Sequence, residues 1–315
     1  MSPLHPTLHE VGYKGYCEYF HGAPTSSVII CAPHAGHLRP SHIPDRKKQC
    51  CNGKVNNCTF AKSKNKGISL LKDSYTYEMA VSLRNNLSLM LGDAPHMVIC
   101  NLHRRKLDAN RERDVAAQHN GDAEQAFDDY HSFIQKAHDT VTLNQKTGIL
   151  FDVHGQSHAE KWIELGYTIS GPSLDAPGTP SSHLSSIRHL ATHRQFEMLL
   201  RGTDSLGGRL EEQGYKVIPS PTFPGPANGN YYFGGFTTVT WGSREQGSVD
   251  AIQLELPLFI RKNHEEHGPI LASILADFVA DNYLMPEERY ETPPLVPRSG
   301  WVPQLFWSFL DKIFL

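Results

Sequence analysis

Two histidines each close a short apolar run: Val28-Ile29-Ile30-Cys31-Ala32-Pro33 leads into His34, and Ile149-Leu150-Phe151-Asp152-Val153 leads into His154. Short runs rich in β-branched residues read as buried strands, and open α/β sheets gather their chemistry at the carboxyl ends of their strands. Two imidazoles there suit a hydrolytic metal, which takes three protein ligands from His and Asp/Glu and keeps a fourth position open. Around His154, Asp152 offers a polar group to fix the ring tautomer, and the small Gly155 leaves the ring accessible. The residue types leave the third ligand open among Asp73, His37 and His42. Asp73 also begins a helical pattern, where a carboxylate serves equally well as an N-cap. With 18 histidines in the chain, most must be surface or hydrogen-bonded residues, so strand-end position is what singles out these two.

Further groups could complete such a site. The segment Leu102-His103-Arg104-Arg105-Lys106-Leu107-Asp108-Ala109-Asn110-Arg111-Glu112 is dense in groups that bind carboxylates and oxyanions, or else it is a solvated charged loop. It follows the strand-like Met97-Val98-Ile99-Cys100, which puts it at the same sheet edge as the histidines. Glu255 lies among Gln253, Leu254, Leu256 and Pro257. A carboxylate buried there needs a partner. It is either paired with a buried arginine or acts as a general base beside the metal.

The elements that must position these groups alternate in type. Met79, Leu83, Leu87 and Met90 form a helical stripe, with Asp73 or Ser74 placed to cap it and Gly92 to close it. Phe127, Tyr130, Ile134, Ala137 and Val141 mark a second amphipathic helix. Tyr167–Ser170 and Lys216–Ile218 look like short strands, with a helix around Phe196–Leu200 between them. Val249–Leu256 is a late strand, followed by a helix with Pro269 in its first turn and Ile270, Ile274 and Phe278 on one face. Strands alternating with helices predict a three-layer, mostly parallel mixed α/β sheet with helices on both faces, in one catalytic domain over residues 1–315. A polar Lys/Cys-rich insertion at about 45–68 and an aromatic tail at about 290–315 lie outside this pattern.

Composition narrows the classes further. A net charge of −3 and no basic run longer than Arg104-Arg105-Lys106 argue against a nucleic-acid partner and favour a small molecule. No stretch reaches the ~20 apolar residues of a membrane span, so membrane contact is expected only through the tail, Trp301 to Leu315. The opening residues show no signal peptide, which makes the cytoplasm the expected compartment. The six cysteines, Cys17, Cys31, Cys50, Cys51, Cys58 and Cys100, lack paired C-x-x-C spacing and read as reduced thiols.

Several of these segments together resemble the N-formylglutamate amidohydrolase family of zinc carboxypeptidase-like hydrolases. They are Pro33-His34-Ala35-Gly36, Asp73-Ser74-Tyr75-Thr76-Tyr77-Glu78-Met79-Ala80, Arg104 with Asp108-Ala109-Asn110-Arg111, Asp152-Val153-His154-Gly155, Gly234-Gly235-Phe236 with Gly242, and Gln253-Leu254-Glu255. The resemblance spans roughly residues 28 to 285 and implies a carboxypeptidase-like (phosphorylase/hydrolase-like) fold. It also implies one Zn2+ per chain held by His34, Asp73 and His154, with Glu255 as general base and acid and Arg104 at the oxyanion. Asn110 and Arg111 would grip a substrate carboxylate, and Tyr231 and Tyr232 would shape the pocket. Carboxypeptidase relatives place a ligating Glu three residues after the first histidine, where this chain has His37; Asp73 is preferred because it precedes the next helix. The implied activity is cleavage of the amide bond of an N-acylated amino acid or similar small carboxylate. Alternatives on the same fold are a metallocarboxypeptidase or deacylase acting on peptides, and a non-catalytic carboxylate-binding protein.

Overall fold

The computed structural model describes residues 8–47 and 69–284. Most of the Lys/Cys-rich insertion, including Cys50, Cys51 and Cys58, and the aromatic tail lie outside the described residues. Within them, eight strands form one mixed sheet in the order β1-β2-β4-β3-β5-β8-β6-β7. In chain order the strands are β1 (His9–Val11), β2 (Cys17–Phe20), β3 (Val28–Ala32), β4 (His96–Cys100), β5 (Gly148–Gln156), β6 (Ile163–Gly166), β7 (Val217–Ile218) and β8 (Val249–Pro257). The central strands β4, β3, β5 and β8 are mutually parallel, while β2 pairs antiparallel with β4 and β6 antiparallel with β8.

Alternation along the strands sorts side chains into two apolar layers. Val28, Ile30 and Ala32 of β3 and Ile149, Phe151 and Val153 of β5 pack on one face beneath helix α1 (Thr76–Leu91), whose Met79, Leu83 and Leu87 are buried there. A later helix, α9 (His264–Tyr283), joins this layer through Leu271, Ile274, Leu275 and Phe278. Ile29, Cys31, Val98 and Leu150 face the other side, against α3 (Gly121–Gln145) through Ala126, Tyr130, Ile134, Ala137 and Val141. The sheet therefore carries helices on both faces. Shorter helices complete the chain: α2 (Arg113–Ala117), α4 (Gly171–Asp175), α5 (Phe196–Arg201), α6 (Leu206–Glu212), α7 (Phe236–Trp241) and α8 (Leu258–Lys262).

The order of the central strands contains a reversal. From β3 the chain passes through α1 to β4 on one side, then through α3 back across β3 to β5 on the other. Loops leaving β3 and β5 thus part in opposite directions and open a crevice at their carboxyl ends, the usual ligand position in open α/β sheets. His34 and His154 stand at that crevice.

Several local expectations change. The strand expected at Tyr167–Ser170 lies just upstream at Ile163–Gly166, because Thr168 takes a left-handed conformation (φ 60°) that ends the extended run. Helix α1 begins one turn after Asp73, with Tyr75 at the N-cap and no side-chain cap bond; the Asp73 carboxylate is used elsewhere. Pro269 is the sixth residue of α9 rather than a first-turn residue, and Ile270 on its neighbouring face is 40% exposed. Cys17, Cys31 and Cys100 are free and buried. Among the described residues, no helix is long and apolar enough to cross a membrane.

Candidate metal centre

Three ligand-type atoms from three segments meet at the crevice. His34 Nδ1 lies 3.1 Å from His154 Nδ1 and 3.2 Å from Asp73 Oδ2, and His154 Nδ1 lies 3.1 Å from the same Asp73 oxygen. All three residues are buried. The turn after β3 delivers His34, β5 itself delivers His154, and the segment entering α1 delivers Asp73, tied back by its N–H to the His34 carbonyl at 3.2 Å. Neither of the other candidates joins them. His37 is exposed, and the His42 ring points to Tyr16 and to Asp122, 2.8 Å away.

The far side of each ring is held by a carboxylate. His34 Nε2 donates to Asp108 Oδ1 at 2.6 Å, and His154 Nε2 donates to Asp152 Oδ2 at 3.0 Å. With each Nε2–H committed outward, the two Nδ1 atoms face inward toward one Asp73 oxygen. With both rings neutral, as metal ligation requires, these three atoms are electron-pair donors that repel one another unless a cation lies between them. Atoms placed 2.0–2.2 Å from a tetrahedrally coordinated zinc are roughly 3.3–3.6 Å apart, close to the observed triangle. The donor set, its spacing and its carboxylate backing all fit a divalent metal, and His34, Asp73 and His154 are the residues that would hold it.

A belt of charge surrounds the triangle. Arg104 Nε donates to Asp108 Oδ2 at 3.0 Å, and its Nη1 lies 3.5 Å from Asp73 Oδ1. Arg46 Nη1 lies 3.5 Å from Asp108 and donates to the Arg104 carbonyl at 3.0 Å. Burial pushes the Asp73 and Asp108 carboxyls up, but the nearby imidazoles and guanidinium groups outweigh it and hold both well below the usual carboxylate range.

Glu255 stands beside His154. The two are register partners on β8 and β5, and Glu164 of β6 is the partner of Glu255 on its other side. Glu255 Oε1 accepts from Gln253 Nε2 at 2.8 Å, while Oε2 is buried with no hydrogen-bond partner among the described residues. Burial pushes its carboxyl up to about 8. Glu164, fully buried, is bonded by His158 Nδ1 at 2.6 Å and by the Tyr232 N–H at 2.7 Å.

The expected substrate residues are placed as follows. Asn110 is buried: its Oδ1 accepts the N–H of Thr237 in α7 at 2.8 Å, and its Nδ2 lies 3.1 Å from His154 Nε2, so this amide packs behind the ligand ring. Arg111 is partly exposed and donates to the Asn110 carbonyl at 2.8 Å. The Tyr231 hydroxyl is used by the Leu165 carbonyl at 2.6 Å, whereas Tyr232 is 39% exposed with its ring against His158. Sequence reasoning gave no role to Asp108, Arg46 or Glu164. Asp108 stood inside the Asp-Ala-Asn-Arg segment and Glu164 lay just before the expected Tyr167–Ser170 strand, and neither spacing announces a partner distant in the chain.

A scan against protein-family models and a search of curated proteins find no match. Solved structures with a similar chain path include a gene product of Agrobacterium tumefaciens, 12% identical over 83% of this chain and 92% of that one, with a TM-score of 0.47. Another is N-formylglutamate amidohydrolase from Ralstonia eutropha, 10% identical over 81% of this chain and 95% of that one, with a TM-score of 0.45.

Proposed function

We propose that this protein is a metal-dependent hydrolase that cleaves the amide bond of an N-acylated amino acid or a similar small carboxylate. The observation that carries this reading is the inward-facing triangle of His34, His154 and Asp73, with edges of 3.1–3.2 Å and a carboxylate behind each imidazole. A divalent ion bound by these residues, most simply Zn2+, would supply Lewis acidity toward a carbonyl and lower the pKa of water.

The chain's own residues supply the rest. Glu255, on the strand next to His154 and with an Oε2 unpartnered among the described residues, is the group that takes a proton from attacking water and returns it to the leaving amine in this reading. Arg104, fixed by Asp108 and close to Asp73, supplies positive charge where an oxyanion develops as the acyl carbon becomes tetrahedral. Asn110 packs behind the His154 ring, and the partly exposed Arg111 beside it is the guanidinium for a substrate carboxylate. The test is a panel of N-acyl amino acids and carboxyl-terminal peptides assayed with metal-loaded protein. Hydrolysis of acyl amino acids supports the reading. Cleavage confined to peptides, or none on the whole panel with metal bound, overturns it.

A further inference from the structure

Arg261 of α8 is 3% exposed and uses its whole guanidinium fork on main-chain carbonyls. Nε donates to Leu256 O at 2.9 Å, Nη2 donates to Gln156 O at 3.1 Å, and Nη1 donates to Ser74 O. Each acceptor lies one or two residues beyond a member of the candidate site. Leu256 follows Glu255, Ser74 follows Asp73, and Gln156 lies two residues past His154. Among the described residues, no carboxylate hydrogen-bonds to Arg261.

Burying a guanidinium costs several kcal/mol, and an apolar side chain would fill the space at no such cost. Only arginine offers five donors in one rigid plane. The backbone is also shaped to admit it. A Cβ at Gly155, next to His154, would overlap the guanidinium carbon, so the glycine provides the clearance for the fork to lie against β5.

We infer that Arg261 is a positioning residue, whose fork locks three separate chain segments together so that Asp73, His154 and Glu255 converge on one point. This inference rests on the metal reading above. A ligand set of this kind must be held within about 0.5 Å to bind its ion well, and hydrogen bonds behind the ligands do that work.

The full-length chain with Arg261→Lys, which keeps the charge and loses the fork, is compared with Arg261→Met and with Gly155→Ala. Zn2+ and Co2+ affinities are read by competition with a chromophoric chelator, and thermal unfolding of the metal-free proteins is followed by circular dichroism. All three variants are expected to unfold cooperatively while binding metal 10–100-fold more weakly. Affinities within twofold of the unsubstituted chain overturn the inference. So does loss of cooperative unfolding in the Arg261 variants together with unchanged metal affinity in Gly155→Ala, which makes Arg261 ordinary core support. Metal uptake by the unsubstituted chain reports separately on the proposed function. With uptake intact, unchanged variants sink the clamp alone; with no uptake, the metal reading itself fails.

Discussion

His154 and Glu255 are direct register partners on neighbouring parallel strands, so a buried imidazole and a buried carboxyl with an oxygen unpartnered among the described residues share one row of the sheet. That pairing puts a proton-accepting group beside a candidate metal ligand through main-chain geometry alone. It makes Glu255→Gln the most informative change of shape-conserving kind. Hydrolysis should fall 10²–10⁴-fold while metal content stays at the level of the unsubstituted chain. Activity retained within a few-fold would remove Glu255 from the mechanism.

The carboxylates behind the rings carry the next expectation. Asp108→Asn and Asp152→Asn each replace an acceptor that fixes a ring tautomer, at 2.6 and 3.0 Å respectively. Each should weaken metal affinity about 10–100-fold, measured by chelator competition, without removing a ligand. Asp108 should show the larger loss, because it also anchors Arg104 and Arg46. Equal affinities in all three proteins would mean the rings are held by something else.

Stability should depend on pH through His96. This ring is 1% exposed, its Nδ1 accepts from the Tyr19 hydroxyl at 2.7 Å and the Gly22 N–H at 3.0 Å, and burial lowers its pKa to about 4. The unfolded chain binds a proton near pH 6.5 and the folded chain only near 4. This contribution is therefore complete above pH 6.5 and is lost as pH falls through 4, a total of roughly 3 kcal/mol. Urea unfolding at several pH values should show His96→Asn losing less stability on acidification than the unsubstituted chain. Identical pH slopes would show that His96 does not titrate this way.

The layer beneath the sheet gives a plain packing test. Leu83 is fully buried in the α1 stripe between Met79 and Leu87. Leu83→Ala should cost about 2–5 kcal/mol of unfolding free energy. A loss below 1 kcal/mol would show that the stripe packs loosely.

Much of this site was legible in the residues because its parts lie on strongly patterned elements. β3 is fully buried and β5 is buried through His154, so their apolar runs are continuous, and the histidines at their ends stand out. Asp73 was visible as a helix-start carboxylate, but a sequence offers the same sign for a cap and for a ligand. In the structure Tyr75, with φ 67°, occupies the N-cap of α1 and the Asp73 carboxylate faces the two histidines instead. The antiparallel strands β1 and β2 went unseen because they are short and half-exposed; among the described residues β1 pairs only with β2, and β2 pairs with β4, about 80 residues on. Arg261 was hidden for another reason. Within Leu-Phe-Ile-Arg-Lys it looks like a solvated helix residue, and its three partners lie at positions 74, 156 and 256.

The central claim is that His34, Asp73 and His154 grip one divalent ion. Elemental analysis of protein purified without chelators tests it most directly, run beside His34→Ala/His154→Ala double-variant protein that still unfolds cooperatively. One equivalent of metal per chain in the first and almost none in the second is the predicted result. No metal in the unsubstituted chain, or the same amount in both, would contradict it.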